Sequence, residues 1–408
     1  MNATAEPCPY PAARQDQFDV PPDYLALIER SPVTPIRLPT GNVAWLITGY
    51  EAARQALTHP MLSADATRPG FPQFRGGSRR IQLFSEGAPK PSSMTFIQMD
   101  PPHHDALRGM LRTSFSVRPV TAARPALQRM FSGLVDEMIA TGSPADLMTS
   151  LANPFPAHVM CEILGVPIED RDMFEREAHR IVSLSLPQRE TIRALRTMME
   201  YIDRIVRKAA ADPSDDLVGR LVTDFLRPGK LDYEDLTGTV RLVLVAGIET
   251  TANMIGMSFA YLLHDRKLWD ELCRNPDRIE SAVEELLRFI AIAHHGVRRI
   301  AVADVVIGGT AIARGEGVVI SVAAANRDPG VFENPNQVDF SRDARGHLSF
   351  SHGVHYCLGH ILARAELEIA LTSVSARIPG LRLCRPVEEL SFRDDALVYG
   401  VHELPVAW

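Results

Sequence analysis

The sequence predicts a mainly α fold with a smaller β part, built around one long central helix. Three observations carry this. Apolar residues recur at helical spacing through most of 119–222, as at Leu127, Met130, Leu134 and Met138. A second helical pattern runs without a break over 233–264, roughly 45 Å at ~1.5 Å per residue. Short β-like segments at 301–307, 310–312 and 317–322 are separated by Gly308-Gly309 and Arg314-Gly315-Glu316-Gly317, which are turn sequences.

The remaining elements follow in order. Residues 1–20 are polar and rich in proline and read as an extended lead-in to a single domain over 21–408. Two short strands over 35–48 flank the turn Pro39-Thr40-Gly41-Asn42, and 50–58 reads as a short helix. Residues 63–93 are rich in Gly, Pro, Ser and Arg without a sustained period, the mark of a functional or moving loop. Pro213-Ser214-Asp215-Asp216 is a turn, 276–289 a helix, and a further helix after Cys357 carries Leu362, Ala365, Leu367, Ile369 and Leu371. The tail, 381–406, alternates well enough for strands.

Composition narrows the function. Lys and Arg number 43 against 50 Asp and Glu, a net charge of −7, which argues against a non-specific nucleic-acid or anionic-membrane binder. Five scattered cysteines (Cys8, Cys161, Cys273, Cys357, Cys384) make no disulfide framework and suit a reducing cytoplasm. The N-terminus has no signal-peptide pattern, and charged or polar residues break the greasy stretch 240–263, so no membrane anchor is expected.

The segment Phe350-Ser351-His352-Gly353-Val354-His355-Tyr356-Cys357-Leu358-Gly359 is the most informative. Cys357 stands between a glycine-containing loop and a helix N-terminus, whose free N–H groups favour a thiolate. Gly353 and Gly359 permit close backbone approach to a flat ligand, and Phe350 can cover the sulfur. These are the needs of a cysteine-ligated heme iron. Two other readings stay open on the loop alone: a structural cysteine, and a zinc-like site drawn from His347, His352, His355, Cys357 and His360.

The loop resembles the F-x-x-G-x-x-x-C-x-G signature of the cytochrome P-450 superfamily, and further motifs stand in the family's order. Glu285-Leu286-Leu287-Arg288 resembles its E-x-x-R, and Ala246-Gly247-Ile248-Glu249-Thr250-Thr251 its A-G-x-[DE]-T. Asp100-Pro101-Pro102-His103-His104 with Arg108 resembles its D-P-P-x-H-x-x-x-R, and the segment from Ala324 through Asn326 and Arg327 to Arg342 that preceding the loop in bacterial members. Ser351, where a glycine is usual, and Ile248, where many relatives have His, depart from the pattern.

The resemblance implies a soluble heme-thiolate monooxygenase that uses dioxygen to hydroxylate, or oxidatively cyclise or couple, a small, largely apolar organic molecule. It implies heme b with Cys357 as the metal ligand. His104, Arg108, Arg299 and His355 would bind its propionates, with His103 and Arg298 as rivals for two of these places. Ala246, Gly247, Phe350, Gly353 and Gly359 would lie against it, with Gly247 letting the helix bulge to admit oxygen. Glu249 and Thr250 would deliver the protons that oxygen cleavage consumes. Glu285 and Arg288 would form a buried pair joined to Arg327 or Arg342. The substrate pocket would be bounded by 63–96, the segment near 181–193, 246–250, 291–297 and the turn near Val398. Electrons would come from a separate ferredoxin and its reductase, docking near Arg112 and Arg364. A peroxide-driven enzyme and a non-catalytic heme-thiolate sensor are the alternatives.

Overall fold

The structure, a computed structural model, describes residues 7–74 and 95–408. Among these the helices are α1 (Pro22–Arg30), α2 (Tyr50–Thr58), α3 (His103–Arg112), α4 (Val117–Thr141), α5 (Pro154–Leu164), α6 (Arg171–Val182), α7 (Gln188–Ala211), α8 (Leu217–Leu221), α9 (Tyr233–His264), α10 (Arg266–Arg274), α11 (Ile279–Ile290), α12 (Val322–Ala325) and α13 (His360–Arg377). The strands are β1 (Cys8–Pro9), β2 (Val33–Arg37), β3 (Val43–Ile47), β4 (Leu62–Ser63), β5 (Ala145–Asp146), β6 (Val297–Ala301), β7 (Val305–Ile307), β8 (Thr310–Ile312), β9 (Gly317–Ile320), β10 (Arg382–Leu383) and β11 (Pro405–Ala407). The chain divides into two compact units, one of residues 1–91, 97–105 and 284–357, the other of 92–96, 106–283 and 358–408.

The first unit holds a six-stranded sheet in the order β1-β2-β3-β9-β6-β4. β2 and β3 form an antiparallel hairpin whose turn needs Gly41 at φ +84°, a left-handed conformation glycine adopts without penalty. Strand alternation sends side chains to two faces. Ile47, Val318 and Ile320 pack with Ala53, Ala56 and Leu57 of α2 on one face. Leu46 and Val319 pack with Tyr10, Tyr24 and Ile36 on the other. β1 pairs in parallel with β2, and Tyr10 is 3% exposed, because its ring stacks on Tyr24.

A buried ion pair ties the last third of this unit together. Glu285 and Arg288 are both 0% exposed and meet through two bonds, Nε to Oε2 at 2.7 Å and Nη2 to Oε1 at 2.8 Å. Arg342 joins Glu285 at 3.1 Å. Arg327 does not join it: its guanidinium lies 3.6 Å over the Phe289 ring and donates to the carbonyls of Phe18 and Phe289. Arg288 also donates to the carbonyls of Asn326 and Pro335 at 2.9 and 2.8 Å. Asn326 passes this order on, accepting from Leu348 N–H at 2.7 Å and donating to Ser349 Oγ at 2.8 Å, just before the cysteine loop.

The second unit is built around α9, which packs against α5, α6, α7 and α13. Asp232 caps it by accepting from Asp235 N–H at 2.7 Å. The helix is long and apolar enough to cross a membrane (mean hydropathy 1.4), yet 72% of that window is buried in the protein, so its apolarity belongs to a core. The tail forms less sheet than its alternation suggests. Only β10 and β11 are strands there, and β11 lies between β10 and β5. Between them the chain turns back on itself, with Arg393 N–H donating to the Gly400 carbonyl at 2.8 Å.

Glu285→Gln should lower unfolding free energy by about 3–5 kcal/mol, because it strands two guanidiniums, one fully buried. Chemical denaturation followed by circular dichroism reads this directly.

Candidate active site

Within the first unit, the cysteine loop is a tight turn. Gly353–His355 make one 3₁₀ turn, and Cys357 N–H donates to the Phe350 carbonyl at 2.8 Å. Cys357 forms no disulfide among the described residues and is half-buried, three residues before α13 begins. Phe350 is buried and its ring lies 6.4 Å from that of Tyr356. Gly353 has φ +74°, and a Cβ there would meet the Leu57 carbonyl oxygen at 2.9 Å, so the glycine serves packing against the end of α2. A Cβ at Gly359 would meet no atom within 4 Å. Ser351 has φ +64°, a left-handed conformation costly for a residue with a Cβ, and its buried hydroxyl has no hydrogen-bond partner.

The same unit gathers basic groups. His104 is fully buried and its ring lies 4.3 Å from that of His355. Its Nδ1 is 2.7 Å from Asp105 Oδ1. The rival His103 is exposed. Arg299 is 6% exposed, while Arg298, on the opposite strand face, lies over Phe71 and Phe74. Among the described residues the Arg299 guanidinium makes one hydrogen bond, to the Arg298 carbonyl at 2.8 Å, and no ion pair. Burial pulls it down to about 10, opposed by Asp100, itself held by Ser63 Oγ and Ala64 N–H. A buried cation without a carboxylate partner suits an anionic group, which is what a heme propionate supplies. Arg108 stands one turn beyond His104 on α3, at i+4.

In the second unit, Ala246 and Thr250 form an exposed step on the largely buried α9, one turn apart. Thr250 Oγ1 donates to the Ala246 carbonyl at 2.6 Å. Glu249, 5% exposed, points elsewhere. Its carboxylate meets Arg393 Nη1 at 3.1 Å, Asn253 Nδ2 at 3.5 Å and His179 Nδ1 at 3.6 Å. Burial raises its proton affinity, but His179 and Arg393 outweigh that and hold it below the ordinary carboxylate value. Near Gly247 the expectation changes. The helix is regular α there, and a Cβ would meet Met160 Sδ at 2.4 Å, so packing against α5 accounts for the glycine. The segment after α6 is bridged to the C-terminal turn, with Leu397 N–H donating to the Val182 carbonyl at 2.9 Å. Most of 63–96, residues 75–94, lies outside the described residues.

A family model, Cytochrome P450, matches residues 179–375. Cytochrome P450-SU2 of Streptomyces griseolus is 42% identical over 96% of this chain and 94% of its own length. The chain belongs to the cytochrome P450 family. Pentalenic acid synthase of Streptomyces avermitilis is 38% identical over 100% of this chain and 98% of its own. The crystal structure of the mycinamicin VIII C21 methyl hydroxylase MycCI from Micromonospora griseorubida, bound to mycinamicin VIII, superposes with a TM-score of 0.91 at 34% identity, covering 98% of this chain and 100% of that one.

The protein is therefore a P450 monooxygenase with the P450 fold, and heme b is its cofactor. Sequence reasoning missed three residues of this P450: Arg393, Asn253 and His179. Asn253 could have been found, since it sits at i+4 from Glu249 and donates to its carbonyl at 2.7 Å. Arg393 lies 144 residues away and carried no local signal. His295, within the expected pocket segment 291–297, is 7% exposed, its ring lies tilted 5.2 Å from that of Phe74, and it is pushed down to about 4 by burial, Arg298 and Arg14.

Two outcomes follow from these environments. Ser351→Gly should stabilise the protein by about 1 kcal/mol in urea unfolding, relieving the left-handed residue and the orphaned hydroxyl. His295 binds its proton more weakly folded than unfolded, so stability should fall as pH drops from 6.5 toward about 4, by about 3 kcal/mol. His295→Phe should remove that part of the pH dependence in denaturation curves taken at several pH values.

Proposed function

We propose that Cys357 ligates the heme iron and that this P450 oxidises a small, largely apolar natural product in the cytoplasm, with electrons from a separate ferredoxin and its reductase. The cysteine loop carries the reading. A half-buried cysteine is held by its own N–H bond to the Phe350 carbonyl, beside glycines and three residues short of a helix N-terminus. Such a position favours the thiolate electrostatically. Pentalenic acid synthase is named for its product and the mycinamicin VIII hydroxylase for its substrate, and both names support a natural-product substrate here. Hydroxylation is the outcome we favour over ring closure or coupling, since the second of these relatives is a hydroxylase.

The heme, when bound, supplies the dioxygen chemistry, placing one oxygen atom in substrate and releasing the other as water. The chain's own residues orient it and manage protons. Arg299, His104, His355 and Arg108 would take the propionates, Arg299 gaining the carboxylate partner that its burial calls for. Phe350, Gly353 and Gly359 would keep the sulfur side close-packed and dry, and Ala246 and Gly247 would line the oxygen side. Thr250 would donate its hydroxyl proton once it turns from the Ala246 carbonyl, and Glu249 would resupply it. Lys and Arg side chains such as Arg112 and Arg364 would meet an acidic ferredoxin. We read 21–408 as one heme domain.

Reduced protein treated with carbon monoxide should give the red-displaced absorption of thiolate-bound heme, and Cys357→Ser should abolish it. Wild-type protein lacking that absorption would overturn the assignment. Thr250→Ala should keep the absorption and substrate affinity while product formed per reductant consumed falls about tenfold, measured by parallel product and reductant assays.

A further inference from the structure

We propose that the second unit carries a binding site for a small zwitterion, an α-amino acid with an apolar side chain, in a cavity between α5, α7 and α8. The cavity holds about 220 Å³. That is smaller than the roughly 300–1,000 Å³ of cofactor and drug-sized sites, so its guest is small. The residues that line it include none assigned above to heme, oxygen or the oxidised substrate.

Helix periodicity builds one wall. Ala194, Met198, Ile202 and Val206 form the buried stripe of α7 and hold the helix in place. Tyr201, Arg204, Lys208 and Ala209, at i, i+3, i+7 and i+8, stand beside that stripe and face the cavity. The turns opposite are locked to each other. Gly165, just past α5, has φ +68°, and a Cβ there would collide with the Asp216 carboxylate. A Cβ on Gly219 would collide with the Ser214 carbonyl oxygen. Leu164, Ala209 and Val218, all buried, give the cavity an apolar lining.

The charges around this lining are not spent on one another. Asp216 is engaged in capping α8, where it accepts from Gly219 N–H at 2.8 Å and from the Ser214 hydroxyl. Asp170 accepts from the Tyr201 hydroxyl through Oδ2 at 2.6 Å, which leaves Oδ1 for a second donor. Burial and that bond hold the Tyr201 phenol above its ordinary value, so it stays a donor. Among the described residues the side chains of Arg204, Lys208 and Asp212 make no hydrogen bond or ion pair, and Arg204 lies 5.0 Å over the Tyr201 ring. Arg204 and Lys208 are one turn apart, with Cβ atoms about 5–6 Å from each other, and can share one carboxylate. Asp170 and Asp212 offer acceptors to an ammonium. A simple anion meets these two carboxylates and a simple cation meets the two cations, so a guest bearing both charges gains most. Its apolar side chain covers Leu164 and Val218.

The test uses the full-length, heme-loaded protein and three probes of one carbon skeleton. These are L-leucine, 4-methylpentanoate, which lacks the ammonium, and 3-methylbutylamine, which lacks the carboxylate. Calorimetric titration should show one L-leucine per chain with a Kd of about 1 mM or tighter. Each single-charge probe should bind about tenfold more weakly. Lys208→Glu, a change at an exposed side chain, should weaken L-leucine about tenfold while the unfolding midpoint and the heme spectrum stay as in wild type. Asp170→Asn, which keeps an acceptor for the Tyr201 hydroxyl, should weaken it similarly. L-leucine should bind equally well when 4-phenylimidazole saturates the heme iron. Absence of saturable binding, equal affinity for a single-charge probe, or wild-type affinity in Lys208→Glu would overturn the proposal. So would loss of binding in the presence of 4-phenylimidazole, which would place L-leucine beside the heme instead.

Discussion

Glu285 and Arg288 are charged groups that water does not reach, both 0% exposed, and the order of the cysteine loop descends from them. A buried pair of this kind adds little net stability, since desolvation offsets most of the attraction. What it adds is geometry. Arg288 reaches carbonyls at Asn326, Pro335 and Gln337, so one guanidinium fixes three points of a segment with little regular structure. Asn326 then bonds Leu348 and Ser349, and Phe350 follows directly. The thiol of Cys357 is thus placed by a hydrogen-bonded relay that starts on a helix and is completed by the turn's own bonds, from Ser351 N–H to the Leu348 carbonyl, Tyr356 N–H to that of Gly353 and Cys357 N–H to that of Phe350. That relay is firm enough to hold Ser351 in a conformation that favours glycine.

A second constraint comes from polar groups on α9. The helix buries most of its length, and each polar residue on it must find a partner or a use. Ser258 donates to the Met254 carbonyl within the helix, while Asn253 donates to the Glu249 carbonyl and accepts from Arg393 Nη1 at 3.0 Å. Glu249 needs partners from elsewhere, on α6 and the C-terminal turn. Thr250 is satisfied locally but stands exposed, where its hydroxyl can exchange that bond for another. Adjacent residues therefore hold opposite conditions: one carboxylate locked in a cluster, one hydroxyl ready to turn.

Much of this was legible in the sequence because it is local. The bounds of α2 and α9, the turn at Gly41, and the order of the motifs all follow from spacing and turn chemistry within a few residues. The choice of Arg342 over Arg327 as third member of the ion pair was open, because it depends on how the chain folds over α11. Residues 381–406 alternate like strands but spend most of their length in turns, since Arg393 is drawn toward Glu249 and away from a ladder. Gly247 misled for a related reason. Its motif suggested room on one side of the helix, while the atom that requires a glycine, Met160 Sδ, comes from another helix.

The pairing of Arg393 with Glu249 also bears on how the molecule is made. The two are 144 residues apart in the chain. A ribosome makes Glu249 well before its guanidinium partner. Until then α9 carries an anion that its apolar neighbours cannot enclose without a penalty of several kcal/mol. The same late segment brings Gly400, whose missing side chain leaves just enough space for Asn253 Oδ1, and β11, which lies between β5 and β10. Enclosure of this anion therefore waits on the segment around Arg393 and Gly400, and chains cut short before it expose a charged, half-built interior that proteases can recognise.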